Sequence, residues 1–126
     1  VTLEPRVGGA ISFSGDPHLD DLPGTVLTYD PPHRLAFTWG TDEVHLELTA
    51  PTDESCELTL LNVLAAKDTA ARNASGWAVC LAELAKHLAG VGSGGPHSRD
   101  ALPFQPLYDA HVASGLPSGA AIPAVS

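Results

Sequence analysis

The chain has 126 residues, enough for one domain with a single hydrophobic core and too few for two. Hydrophobic residues make up 44% and charged residues 17%, a globular balance far from that of a disordered chain. Fifteen acidic residues against six basic ones leave a formal charge of −9, a surface that repels phosphate backbones and anionic lipid and so argues against nucleic-acid and membrane partners.

Strand signals fill the first half. Residues 1–6 and 9–14 are short β-like runs that meet at the Gly8-Gly9 pair, a natural bulge or turn. Residues 15–23 read as a loop rich in Asp, Pro and Gly, where Asp16, His18, Asp20 and Asp21 make a solvated acidic cluster. Residues 24–30 form a strand, Pro31-Pro32-His33 a tight connection, and residues 34–39 the return strand of a hairpin, because proline cannot continue a ladder. After the Gly40-Thr41-Asp42 turn, residues 43–49 alternate: Val44, Leu46 and Leu48 share one face, and Glu43, His45, Glu47 and Thr49 the other. One buried and one wet face is the antiparallel pattern. Residues 50–54 turn the chain again. Residues 55–64 then place Cys56, Leu58, Leu60, Asn62 and Leu64 on one side, and Glu57, Thr59, Leu61 and Val63 on the other. The expectation is a meander of about six strands.

Between Asp68 and Ala89 the period changes to that of a helix: Trp77, Leu81, Leu84 and Leu88 follow at spacings of four, three and four and draw one stripe. Asp68 is the expected N-cap, Lys86 and His87 suit the negative end of the helix dipole, and Gly90 is the stop. Gly76 inside the helix costs about 1 kcal/mol relative to alanine, which predicts a kink or a close approach to a strand. Residues 91–96 are a glycine-rich linker, residues 100–115 a second helix carrying Leu107, Tyr108 and Val112, and residues 116–126 a Pro/Gly/Ala tail. Residues 1–90 therefore read as an α+β domain and residues 91–126 as linker, short helix and tail.

The two cysteines, Cys56 and Cys80, have no metal or redox spacing and read as buried, reduced thiols. No apolar run is long enough for a membrane span and no signal peptide opens the chain, so a cytoplasmic location is expected. Asn73-Ala74-Ser75 matches a glycosylation sequon but falls within the predicted helix. The sequence has no methionine and starts directly in strand-like residues, which reads as a segment of a longer protein.

Catalytic signatures are missing from the sequence. Its six histidines show no HExxH-type spacing, so no metal is expected, and no GxSxG elbow or phosphate-binding glycine loop points to a catalytic residue or a cofactor. His45 between Glu43 and Glu47 reads as a surface ion pair. Asn62, on the face of Leu58 and Leu60, points inward and needs partners, either within the protein or on a ligand.

Several stretches carry a resemblance: Gly24-Thr25-Val26, Tyr29-Asp30-Pro31-Pro32-His33-Arg34-Leu35, Thr38-Trp39, Ser75-Gly76-Trp77 and Leu81-Ala82-Glu83-Leu84. Together they resemble the SRPBCC (START-like) superfamily, and within it the bacterial homologues of the activator of the heat-shock-protein-90 ATPase. Leu107-Tyr108 and the run from Ala113 to Ala120 resemble tails attached to members of that branch. The resemblance implies a helix-grip fold, in which a curved antiparallel sheet wraps one long C-terminal helix, preceded by a first strand and a helix pair that this sequence lacks. It also implies roles as different as lipid or polyketide binding, ring cyclisation and co-chaperone action. The favoured expectation is a hydrophobic small molecule bound between sheet and helix by Trp39, Leu46, Leu60, Asn62, Trp77, Leu81 and Leu84. The alternatives are a cyclase- or hydrolase-like enzyme in the same cavity and a co-chaperone or interaction protein, with a homodimer also open.

Overall fold

The computed structural model describes residues 1–13 and 22–122, so the Asp16, His18, Asp20 and Asp21 cluster lies outside the described residues. In chain order the elements are β1 (Thr2–Leu3), β2 (Ala10–Phe13), β3 (Leu22–Asp30), β4 (Arg34–Trp39), β5 (Asp42–Thr52), β6 (Ser55–Val63), a 3-10 turn (Lys67–Thr69), α1 (Ala70–Leu88) and α2 (Phe104–Ala113). The class is α+β, a curved six-stranded antiparallel sheet followed by a long helix, as a helix-grip protein requires. The chain divides into two compact units, Val1–Ala65 and Ala66–Ser126.

The sheet unit is a pure meander, each strand pairing with the next in sequence. Its register carries the expected alternation into cross-strand rows, Val26–Phe37–Val44–Asn62 and Leu35–Leu46–Leu60, on one face. Val26, Phe37 and Val44 are buried, and Ile11 of β2 joins them. Register shifts between Val26 and Thr28, and between Thr49 and Thr52, supply the irregularities that bend such a sheet. Gly24 is obligatory by space: a Cβ there would sit 2.6 Å from the Thr38 carbonyl and 3.2 Å from Ile11 Cγ2.

Three boundaries differ from the sequence expectation. β1 shrinks to two residues because the chain after it closes tight turns, Arg6 N–H donating to Glu4 O (2.8 Å) and Gly9 N–H to Arg6 O (3.0 Å). β3 starts at Leu22 and takes in Pro23, near the strand start, where a missing N–H costs the ladder least. β5 runs on through Ala50 and Pro51 to Thr52, across the register shift, so the expected turn contracts to Asp53-Glu54.

In the helical unit, the expected N-cap is corrected. Thr69 holds that position and makes no side-chain cap bond, while Asp68 lies in the preceding 3-10 turn. Each helix ends in a Schellman motif: Gly90 and Gly115 adopt positive φ (+74° and +100°) and bond back to His87 O and Val112 O, and the next residues to Lys86 O and His111 O. α2 starts later than expected because Pro103 caps it and Pro106 is confined to its first turn. The close approach assigned to Gly76 is also corrected, since a Cβ there would meet nothing within 4 Å among the described residues.

Candidate functional site

The sheet brings four of the expected site residues onto one face. Leu46 and Leu60 are direct cross-strand partners, and Asn62 stands opposite Val44 in the neighbouring row. Trp39, the last residue of β4, pairs with Asp42. Around Trp39 the aromatic rings interlock: Phe13 lies 4.7 Å from Trp39 edge-on and 5.2 Å from Phe37, spacings at which ring quadrupoles attract. Sequence reasoning omitted Phe13 from the site, although its alternation with Ile11 in β2 was the available signal.

Asn62 has partners within the protein. Its Nδ2 donates to Asp42 Oδ2 (3.3 Å) and to Glu43 O (3.1 Å). Asp42 Oδ1 accepts from Ala65 N–H at 2.9 Å, so one carboxylate holds both the amide and the exit from β6. On the opposite face His45 Nε2 lies 2.9 Å from Glu43 Oε1 with both side chains substantially exposed, the expected surface pair.

Trp77, Leu81 and Leu84 belong to α1, where spacings of four and three keep them on one face. The line buried along α1 is a different one: Ala71, Ser75, Val79 and Glu83, each four residues from the last. Leu81 and Leu84 stay 39% and 38% exposed. Glu83 is buried because Lys86 Nζ lies 2.9 Å from its Oε2, in ion-pair contact without a directed hydrogen bond, and Ser98 Oγ donates to Oε1 at 3.3 Å. The Lys86 ammonium is the main cause that lowers the Glu83 carboxyl pKa, against desolvation, which raises it.

Neither cysteine is in a disulfide. Cys80 is partly buried, and desolvation raises its thiol pKa against a weaker opposing backbone hydrogen bond. Cys56, by contrast, is exposed near the β5–β6 turn, which corrects the buried reading.

Ser75 Oγ donates to Ala71 O (2.7 Å) and lies 2.9 Å from His111 Nδ1, the closest approach among the described residues to a hydroxyl–imidazole dyad. Ser75 is 0% exposed and its hydrogen is committed to a carbonyl, so the pair presents no nucleophile to a substrate. The same burial leaves no accessible hydroxyl in the Asn73-Ala74-Ser75 sequon. Among the described residues no three His, Cys, Asp or Glu side chains group to hold a metal ion, and no helix is long and apolar enough to cross a membrane.

A family model described as Activator of Hsp90 ATPase homolog 1-like protein matches residues 1–89. No curated protein and no solved structure matches the chain.

Proposed function

The chain belongs to the Activator of Hsp90 ATPase homolog 1-like family of the SRPBCC superfamily, and on that premise we propose that it binds an apolar small molecule. Family members bind hydrophobic ligands or act in Hsp90 chaperone regulation, so membership admits both readings. The observation that favours the first is the inner sheet face, where apolar cross-strand rows and an aromatic trio end at a single held amide, Asn62. Small-molecule sites have this composition, mostly apolar with few fixed polar groups. We assign the ligand contacts of the sheet to Trp39, Leu46, Leu60 and Asn62; α1, taken by itself, offers Trp77, Leu81 and Leu84 as an apolar stripe. Asn62 is held on this face by Asp42 Oδ2 and Glu43 O, which fix its orientation.

A cyclase- or hydrolase-like reading needs a convergent acid and base, and the Ser75–His111 pair does not serve because its hydroxyl is buried. Two free cysteines fit the reducing cytoplasm, where we place the protein. Titration with an environment-sensitive apolar dye tests the reading. Wild type should bind it, and Leu60→Trp, which fills the apolar row of Leu35, Leu46 and Leu60, should bind it several-fold more weakly. Absence of binding by folded wild type, or equal binding by the filled variant, would exclude it.

A further inference from the structure

The segment after α1 lies outside the family match, which ends at residue 89, yet it is bonded to α1 at several points. The start of α1 has no side-chain cap. Instead Ala71 N–H donates to Pro117 O (2.9 Å), Ala120 N–H to Asp68 O (3.3 Å), and Arg72 Nη1 to Ala121 O (3.0 Å). One turn further along, His111 of α2 meets Ser75. The hydrogen placement there follows from chemistry: the Ala71 carbonyl can only accept, so Ser75 Oγ donates to it and His111 Nδ1 must carry the hydrogen shared with Oγ. The seat is made of small side chains, Ala71 and Ser75, both fully buried. Gly115, left-handed in the Schellman motif of α2, turns the chain back toward the start of α1.

We infer that residues 104–122 form a strap that keeps the first half of α1 helical and thereby positions Trp77, two residues beyond Ser75. Helix ends fray unless their free N–H groups are satisfied, and here a distant carbonyl, Pro117 O, does what a capping side chain does elsewhere. His111 is a positioning residue in this device. The strap rests on contacts within the helical unit alone, whereas its effect on ligand rests on the function proposed above.

The test is amide hydrogen exchange of the full chain against two variants: a chain ending at Gly115, and Ser75→Ala. Amides of residues 72–78 should exchange about tenfold faster in both variants, with those of β4 and β5 unchanged. Ser75→Ala discriminates, because alanine is the better helix former and an idle strap would leave exchange slower. Unchanged or slower exchange in that variant overturns the strap, and it decides alone if the shortened chain unfolds. Dye titration of the same proteins separates the two ideas. Weaker binding by the loosened variants supports positioning of Trp77, and equal binding overturns it. No binding by wild type sinks the ligand reading, and the exchange result still decides the strap.

Discussion

Asp42 binds Asn62 at 3.3 Å through one carboxylate oxygen, and through the other holds the backbone of Ala65 at 2.9 Å. A residue in the first position of β5 therefore fixes both an inward-facing amide of β6 and the point where the chain leaves the sheet.

Removing that carboxylate should be felt at both places. Asp42→Ala leaves two donors without their acceptor and should destabilise the protein by about 1–3 kcal/mol. In a double-mutant cycle with Asn62→Ala, urea denaturation should give a coupling of at least about 0.5 kcal/mol. Strict additivity would mean that the two side chains act independently.

Packing along the inner row predicts a contrast between two apolar residues. Phe37, 5% exposed and ringed by Phe13 and Trp39, should cost about 3–5 kcal/mol on replacement by alanine. Leu61 on the other face is 57% exposed, and Leu61→Ala should stay within about 0.5 kcal/mol of wild type. Similar losses from both would contradict the assignment of faces.

That assignment was legible in the sequence because strand period and burial coincide. Val44 and Leu46 alternate with Glu43, His45 and Glu47, and the structure keeps the two sets on opposite faces. The buried line of α1 was not legible, because Ala71, Ser75 and Glu83 carry little hydrophobic signal beside Trp77, Leu81 and Leu84. Small residues allow the 104–122 segment to approach, and Glu83 is tolerated inside only with Lys86 one turn away. Asp42 looked like a turn residue because its role depends on Asn62 and Ala65, about twenty positions later in sequence, a pairing that no local pattern encodes.

Gly76 lies inside α1, and among the described residues nothing comes within 4 Å of where its Cβ would stand. Gly76→Ala should therefore raise stability by about 0.5–1 kcal/mol, through helix propensity and a less flexible unfolded chain. The thermal midpoint should rise by a few degrees. A fall would indicate that something occupies the space.

The two thiols should react at different rates. In the native protein an aromatic disulfide reagent at mildly alkaline pH should modify exposed Cys56 quickly. Cys80 should lag, since burial both raises its thiol pKa and limits access. Under denaturing, non-reducing conditions two thiols should titrate together. A count of none would show a disulfide.

Glu83 predicts the acid limb of stability. Its carboxyl pKa is lowered in the folded state, chiefly by Lys86, with Ser98 and Ser93 adding hydrogen bonds. A folded pKa below the unfolded one means that the unfolded chain binds the proton more readily. The contribution is then complete above the unfolded value and is lost as pH falls through the folded value. Urea midpoints of wild type and Glu83→Gln should accordingly differ most near neutral pH, wild type being the more stable. The gap should close through the carboxylate range and vanish at still lower pH. Lys86→Met should reverse the balance by leaving the charge buried beside Ser98, so that this variant loses stability at neutral pH and recovers part of it on acidification. A Glu83→Gln gap that stays constant from neutral to acid pH would show that the ion pair with Lys86 contributes nothing, and that shape alone keeps residue 83 inside.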